Sequence, residues 1–354
     1  MADDRTAAAA RRLTPVIRLA PAKLNLTLSV ASRRPDGYHD LHSVMVPLAL
    51  ADRLSVARAG GRVDTLRVDG LDAGPVDGNL VLRAIAATRS AVGRGADAFP
   101  LAARLEKRIP VAAGLGGGSS DAAAAIDAAL EAWGLLAPAG DAAAPPDPEI
   151  VALRASVAAR VGSDVPFFLA GGPALVEGRG ERVTPLAPVR GTPPGVLLVT
   201  PALPAATPAV FAALDGGGQA AAPADPRSTR LSSDHLAAEL RGGLDGAALV
   251  ARAGVLASAN DLVAAAGLVV PGLVLLRRAM IRAIGRPVGL SGSGPTLWVL
   301  YPSTDAAVSA AGVVQAALAD GSIVAPGTER PSIIATAIAG GAAGATIATT
   351  EERA

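Results

Sequence analysis

The alternation of apolar and polar positions predicts a strand near the start of the chain. From residue 16 to residue 28, leucines alternate with Lys23, Asn25 and Thr27, and this period of two is typical of a half-buried strand. Other apolar runs predict strands at residues 42–50, 53–57, 101–109, near 174 and 183, 195–200, 296–300 and 333–338.

Apolar residues spaced three and four apart predict helices. One helix begins at Ser120, carries Ile126, Leu130 and Trp133 on one buried face, and ends near Gly134. The same spacing predicts helices at 79–92, 149–160, 271–284 and 306–319. Because strands and helices interleave without strict β-α-β order, the sequence predicts an α+β fold.

A chain of 354 residues is long enough for about two domains. We predict an N-terminal domain at 16–188 and a C-terminal domain at 189–340, joined near the prolines of residues 188–194. Residues 1–15 predict a disordered leader and residues 341–354 a mobile tail. Two alanine-, glycine- and proline-rich stretches, 137–148 and 214–225, predict surface insertions.

Composition narrows the classes of function. The formal net charge of +1 gives no global support for a nucleic-acid or anionic-membrane partner, and no strongly apolar run of about 18 residues would span a bilayer. The chain has no cysteine, which excludes disulfides, thiolate nucleophiles and sulfur-bound zinc. The first residues lack the apolar core of a secretory signal, so we expect a cytoplasmic protein.

A glycine-rich segment at residues 110–121, PVAAGLGGGSSD, precedes the helix that carries Ile126. Glycines let backbone N–H groups approach an anion closely, and a helix N-terminus adds a positive dipole end, so phosphate is the natural ligand. The Walker pattern requires a lysine that is absent, and the dinucleotide fingerprint requires glycine where Ser119 stands. A plain turn that caps a helix is the alternative interpretation of this segment alone.

Four more segments occur with it in fixed order: PAKLNL at 21–26, RPDGYH at 34–39, GSDVPF at 162–167 and LSGSGP at 290–295. Together the five resemble the GHMP family of small-molecule kinases, over roughly residues 16–340. The resemblance implies two α+β domains, a ribosomal-S5-like N-terminal domain and a ferredoxin-like C-terminal domain. It also implies that ATP and a small-molecule substrate meet between them.

The resemblance implies that Lys23 and Asp164 are catalytic. A carboxylate can accept the proton of an acceptor hydroxyl, and an ammonium group favours the developing alkoxide. A solvated strand lysine and a turn-capping aspartate are the alternatives. Residues of the ATP site implied in the same way are Asn79, Leu80, Lys107, Pro110, Val111, Ala112, Ala113, Gly114, Leu115, Gly116, Gly117, Gly118, Ser119 and Ser120. Asn79 could equally cap a helix.

The branch of the family with RPDGYH is expected to bind a cytidine diphosphate group. On that basis Tyr38 stacks on the base, His39 hydrogen-bonds its edge, Phe211 closes the other side, and Thr207 and Asn25 face the substrate. Phe211 as ordinary core, and Tyr38 and His39 as loop or surface residues, are the alternatives. The turn of residues 291–294 is expected to lie beside the glycine segment, or to be a plain turn before a strand.

The expected reaction is transfer of the ATP γ-phosphoryl group to the 2-hydroxyl of 4-diphosphocytidyl-2-C-methyl-D-erythritol, in the non-mevalonate route to isoprenoids. Magnesium is expected to accompany ATP without a dedicated protein metal site, and the chain to act as a monomer or homodimer. Rival hypotheses are a GHMP kinase acting on homoserine, mevalonate or a sugar, and a non-catalytic sensor that keeps the fold.

Overall fold

The computed structural model describes residues 14–93, 99–138, 147–221 and 226–340. The predicted tail, most of the predicted leader and much of both predicted insertions lie outside these residues. Eleven strands occur in the described part: β1 Val16–Asn25, β2 Ser29–Arg33, β3 His39–Arg58, β4 Thr65–Gly70, β5 Leu101–Lys107, β6 Ala174–Gly178, β7 Arg182–Pro185, β8 Gly195–Thr200, β9 Gly289–Leu290, β10 Leu297–Tyr301 and β11 Ser332–Ala337.

The helices of the described residues fall into two groups, on either side of β8 in the chain. The first four are α1 Leu80–Ala91, α2 Gly117–Ala132, α3 Pro148–Val161 and α4 Val165–Leu169. The others are α5 Thr207–Gly216, α6 Pro226–Arg241, α7 Gly246–Ala251, α8 Ala253–Leu256, α9 Val263–Val269, α10 Leu273–Ile284 and α11 Thr304–Ala319.

The first sheet is built around the 20-residue strand β3. Along one edge β3 pairs antiparallel with β1 and β2, and along the other it pairs antiparallel with β5 and β6. The outer strand β4 is parallel to β5, and β7 extends the sheet beyond β6. One long strand therefore connects both ends of the N-terminal sheet.

The second sheet has the order β11-β8-β10-β9 and is antiparallel throughout. All six residues of β8 are buried. A short, continuously apolar strand is expected to be covered on both faces in this way. One apolar cluster includes Leu24 and Val46 from the first sheet and Leu198 and Trp298 from the second. Burial of a shared apolar cluster therefore holds the two sheets together.

The α+β prediction is confirmed, and so are most of the predicted elements, within two or three residues at their ends. Three predictions were wrong. The second half of β1 is buried on both faces and not half-buried, because Lys23 and Asn25 are almost as deeply buried as Leu24 between them. Residues 42–50 and 53–57 belong to the single strand β3. Residues 214–216 end helix α5 rather than starting an insertion.

No single helix among the described residues is long and apolar enough to cross a membrane. The sharply bent pair formed by α9 and α10 meets the length and composition criteria together. Both helices contribute buried residues to the core of the second sheet, Ala265 and Ala266 from α9 and Leu273, Leu276 and Met280 from α10. Their apolar character is accounted for by this packing.

Candidate active site

A cleft of about 440 Å³ lies where the end of β1, the N-terminus of α2 and the turn before β10 meet. Most of the predicted site residues line it: Lys23, Asn25, Asn79, Leu80, Lys107, Asp164, Thr207, Phe211, residues 110–114 and residues 116–119. Leu115, Ser120, Tyr38 and His39 are not among the lining residues. The cleft thus brings together segments that lie far apart in the sequence.

The glycine loop, residues 110–120, includes the first turn of α2. Before that turn, two of its glycines have a left-handed backbone conformation. Gly114 has φ +76° and Gly116 has φ +69°, a region that side chains disfavour. Gly116 is the N-cap of α2 and offers no side-chain cap, so the first backbone N–H groups of a 16-residue helix are left for a ligand. With the helix dipole, they can bind a phosphate group.

The turn of residues 291–294 packs directly against the glycine loop, as one of the two sequence interpretations proposed. Ser291 donates its hydroxyl hydrogen to the carbonyl oxygen of Gly114 at 3.0 Å. Asn260 donates to the carbonyl oxygens of Leu290 and Gly292, both at 2.9 Å, and so holds the turn from behind. The backbone conformation of the glycine loop is therefore fixed by a second loop.

Lys23 and Asp164 meet in this cleft, with 3.8 Å between Lys23 Nζ and Asp164 Oδ2. Lys23 sits at the end of β1, where its backbone N–H donates to the Leu115 carbonyl oxygen. Asp164 precedes the short helix α4, and its side chain is about one third exposed. The pair thus joins a rigid strand to a carboxylate that solvent or substrate can reach.

The surroundings of Lys23 explain how its ammonium group is oriented. Lys23 Nζ donates to Asn25 Oδ1 at 2.5 Å, and the Asn25 amide donates to the Ser43 hydroxyl at 2.8 Å. A Cβ at Gly292 would lie 3.0 Å from Lys23 Nζ, so the 291–294 turn also touches this group. Burial lowers the pKa of Lys23, and the Asp164 carboxylate opposes that change.

A buried charge cluster that sequence reasoning did not foresee lies under the first turn of α2. Lys107 Nζ donates to Asp52 Oδ2 and, at 2.7 Å, to Asp121 Oδ2. Asp52 Oδ1 accepts from the backbone N–H of Ile109 at 2.8 Å. A Cβ at Gly117 would lie 2.9 Å from Lys107 Nζ. The cluster therefore holds two segments in place: residues 107–109, which precede the glycine loop, and the first turn of α2.

Asp121 is the member of this cluster with an unsatisfied side-chain oxygen. Its Oδ1 atom is buried and has no hydrogen-bond partner among the described residues. Burial raises the pKa of Asp121 to about 7; the Lys107 ammonium opposes this rise and the Asp52 carboxylate adds to it. The cluster can thus gain or lose a proton near neutral pH.

The other predicted nucleotide-site residues have varied surroundings. Asn79 caps α1 by accepting from the Val81 N–H at 2.9 Å, so the capping interpretation is confirmed, while a contact with adenine stays a prediction. Leu115 is buried. Ser120 is also buried and lines a separate cavity of about 310 Å³ behind α2. Its side chain therefore points away from the cleft.

At the predicted cytidine-binding residues, the structure pairs His39 with Phe211. Their ring centroids are 5.0 Å apart with an interplanar angle of 29°, and His39 is 7% exposed. Tyr38 is 53% exposed, with the Arg179 guanidinium 5.2 Å from its ring centroid. Phe211 both lines the cleft and packs against the apolar core of the second sheet, and the His39 ring lies against the Phe211 ring; binding of a base by these residues stays a prediction.

Comparisons with known proteins agree with this geometry. Residues 79–172 match the model of the GHMP kinase N-terminal domain. A 4-diphosphocytidyl-2-C-methyl-D-erythritol kinase from Anaeromyxobacter sp. (strain Fw109-5) is 38% identical over 309 residues, which is 85% of this chain and 87% of that protein. The chain belongs to the 4-diphosphocytidyl-2-C-methyl-D-erythritol kinase family of GHMP kinases.

A second relative of this family, from Deinococcus radiodurans, is 50% identical over 177 residues, 49% of this chain. Relatives matched at 44 to 50% identity align with the chain over only 53 to 64% of their own length. A crystal structure of a 4-(cytidine 5'-diphospho)-2C-methyl-D-erythritol kinase is 32% identical, with a TM-score of 0.61, and covers 91% of this chain and 99% of its own. The predicted GHMP kinase fold is thereby confirmed.

Proposed function

We propose that this chain transfers the γ-phosphoryl group of ATP to the 2-hydroxyl of 4-diphosphocytidyl-2-C-methyl-D-erythritol, giving the 2-phosphate and ADP. The observation that carries the proposal is the approach of Lys23 and Asp164 to 3.8 Å in a cleft that also contains the free N-terminus of α2. Family membership supports the choice of a cytidine-bearing acceptor.

In this mechanism Asp164 is the general base. Its carboxylate accepts the proton of the acceptor hydroxyl, and the oxygen then attacks the γ-phosphorus as the bond to the ADP oxygen breaks. The Lys23 ammonium stabilises the negative charge that develops on the attacking oxygen. Because Asn25 holds the Lys23 ammonium, little reorganisation is needed when that charge appears.

Binding of the nucleotide phosphates falls to the glycine loop. The unpaired N–H groups at the start of α2 donate to phosphate oxygens, and the helix dipole favours their negative charge. Ser291 and Asn260 keep the loop in place from the far side. Phosphoryl transfer depends mainly on positioning and on charge neutralisation, which this arrangement would supply.

Magnesium would arrive with ATP. Among the described residues, no three His, Asp or Glu side chains gather as a metal cage. The Asp164 carboxylate in the cleft is nevertheless an oxygen ligand of the type that magnesium accepts beside substrate phosphates. Such a site fits a metal carried by the nucleotide, where it would neutralise charge on the β- and γ-phosphates.

The test is ADP release from ATP and magnesium with the cytidine substrate, run beside homoserine and mevalonate. We expect turnover of the cytidine substrate alone, and we expect Asp164→Asn to lower kcat by about 10² to 10⁴, the usual contribution of a general base. Asp305→Asn, an exposed aspartate in the first turn of α11, serves as the matched control and should leave kcat unchanged.

Each other outcome points to a different conclusion. Turnover of homoserine or mevalonate in place of the cytidine substrate would move the chain to another acceptor within the GHMP kinases. Binding of ATP and the cytidine compound without ADP release would favour the sensor hypothesis. Full activity of Asp164→Asn would remove Asp164 as the base.

A further inference from the structure

Ser43, a buried serine of β3, ends a chain of hydrogen bonds that begins at the Lys23 ammonium group. Lys23 Nζ donates to Asn25 Oδ1, and the Asn25 amide donates to Ser43 Oγ at 2.8 Å. Ser43 Oγ in turn donates to the backbone carbonyl oxygen of Thr27 at 2.6 Å. Lys23 and Asn25 line the cleft, whereas Ser43 is 0% exposed and does not. The side chain of Ser43 therefore reaches the cleft through Asn25.

The direction of every bond in this chain follows from its last acceptor. A backbone carbonyl oxygen only accepts, so the single hydroxyl hydrogen of Ser43 is committed to Thr27. Ser43 Oγ can then only accept, and Asn25 must turn its NH₂ group towards it. The Asn25 oxygen consequently faces Lys23 Nζ, which can only donate. With the amide turned by 180°, two donors and two acceptors would face each other in a buried site, at a cost in free energy.

The pairing of the strands fixes the carbonyl oxygen on which this chain depends. β1 pairs with β3 as far as its last residue. Beyond that point the Leu26 N–H donates to the Val44 carbonyl oxygen at 2.9 Å, and the Val44 N–H donates to Thr27 Oγ1 at 3.1 Å. Both bonds hold this segment beside β3, so the Thr27 carbonyl oxygen lies next to Ser43. Backbone structure therefore determines which way the Asn25 amide faces.

The position of the Lys23 ammonium group depends strongly on this amide. The described residues supply no other hydrogen-bond acceptor to Lys23 Nζ, and Asp164 Oδ2 lies at 3.8 Å, beyond hydrogen-bond distance. A lysine side chain has four rotatable carbon links and adopts many conformations when nothing holds its end. Stabilisation of a developing charge requires that the ammonium group is already in place.

We propose that Ser43 is a positioning residue for phosphoryl transfer: its hydroxyl group fixes the orientation of the Asn25 amide, which holds the Lys23 ammonium where negative charge develops. The inference rests on the proposed function, in which Lys23 stabilises the attacking oxygen. It adds a residue that lies outside the recognised motifs, in the middle of β3, and that does not itself line the cleft.

The first experiment measures the kinetics of Ser43→Ala with ATP, magnesium and the cytidine substrate. We expect kcat to fall about tenfold, the size of one lost hydrogen bond, with KM for ATP within twofold of the unaltered value. Ser43→Thr keeps the hydroxyl group and should restore most of kcat. Ser55→Ala is the matched control, because Ser55 is a half-buried serine of the same strand that does not line the cleft. It should leave kcat unchanged.

A double-mutant cycle tests whether Ser43 acts through Asn25. In an Asn25→Ala protein, adding Ser43→Ala should change kcat by less than twofold, because the amide that Ser43 orients is already absent. An equal tenfold loss in that background would overturn the proposal. So would a kcat within twofold of the unaltered value in a Ser43→Ala protein that urea unfolding shows to be folded.

NMR of the ammonium group separates this inference from the proposed reaction. In protein labelled with ¹⁵N-lysine, the Lys23 signal is assigned by its loss in Lys23→Met. We expect a resolved, slowly exchanging ammonium signal in the unaltered and Ser55→Ala proteins, and its loss in Ser43→Ala. That result would support the role of Ser43 even where no phosphoryl transfer is seen. An unchanged signal in Ser43→Ala, or none in the unaltered protein, would overturn the proposal even where the cytidine substrate is turned over.

Discussion

The glycine loop lies against buried ion pairs and a second loop, whereas residues 34–38, the Tyr38 loop, are held by exposed contacts. Lys107 is 5% exposed between two carboxylates, while Tyr38 is 53% exposed beside the Arg179 guanidinium. Buried ion pairs tolerate little change, because removing one partner leaves an uncompensated charge. Exposed contacts contribute little to folding.

This difference separates two tasks. Binding a triphosphate requires a rigid backbone conformation. Because the same contacts that keep it rigid also stabilise the fold, substitutions there should lower the free energy of unfolding. Recognition of a base by an exposed ring is local, and its loss should cost affinity alone. Substitutions in the two regions should therefore divide into those that lower the free energy of unfolding and those that change KM.

The largest effect is expected from Gly114→Ala. The added Cβ would enter the space of the Ser291 carbonyl oxygen, and φ +76° is itself unfavourable for alanine. We expect the free energy of unfolding to fall by about 2–5 kcal/mol, from a conformational cost of about 1–2 kcal/mol and an overpacking cost of about 1–3 kcal/mol. Urea unfolding measures the change, and KM for ATP should rise at least tenfold.

Gly134→Ala separates the two contributions to that effect. Gly134 has φ +74°, and a Cβ there would meet nothing within 4 Å. Alanine at this position should therefore show the conformational cost alone, with KM for ATP unchanged. Equal losses of stability at the two positions would mean that the contact with the 291–294 turn is not a constraint.

A smaller effect, dependent on pH, is expected from Asp121. Its folded-state pKa of about 7 lies above the ordinary value of 3.8, so between these values the folded state binds more protons than the unfolded state. The free energy of unfolding should then fall as pH rises, by about 2.5 kcal/mol between pH 5 and pH 8. Asp121→Asn should remove this decline, and urea unfolding at both pH values tests it.

An equal decline in the Asp121→Asn protein would assign the pH dependence to other groups. Increased stability of that variant at pH 8, together with the loss of the slope, would identify the charged form of Asp121 as the source of strain. The contribution of this cluster to the free energy of unfolding would then be largest at mildly acid pH.

The smallest effect on folding is expected from Tyr38→Ala. The ring is exposed, so the free energy of unfolding should change by less than about 0.5 kcal/mol. KM for the cytidine substrate should nevertheless rise about fivefold to a hundredfold, because stacking on a base contributes about 1–3 kcal/mol. Tyr38→Phe keeps the ring and should behave like the unaltered protein. A clear loss of stability in Tyr38→Ala would contradict the contrast between the glycine loop and the Tyr38 loop.

Local patterns predicted the parts of the molecule in which sequence neighbours act together. The glycine loop and the helix after it follow from glycine spacing and helical periodicity, and strand β8 was predicted with its observed ends. Asp52 and Ser43 could not be found in this way. Each is a single polar residue of β3, and its partner, Lys107 or Asn25, lies 55 or 18 positions away.

Burial was the other feature that local pattern did not reveal. The alternation over residues 16–28 predicts one solvent-exposed face. The side chains of Asn25 and Thr27 nevertheless face inward, because Asn25 bonds to the Ser43 hydroxyl and Thr27 accepts from the backbone N–H of Val44, both in β3. Several helices of the second half, including α6, were not predicted. The low apolar content of α6, PRSTRLSSDHLAAELR, obscures the few residues that it buries, among them Leu236 and Leu240.

Strand β3 places a limit on how the chain can change in length. It begins at His39 and contains Ser43, which bonds to Asn25, and Asp52, which bonds to Lys107. Side chains alternate between the faces of a strand, so deleting one residue between Ser43 and Asp52 would turn one of the two to the opposite face. Insertions and deletions in this protein should therefore be excluded from β3.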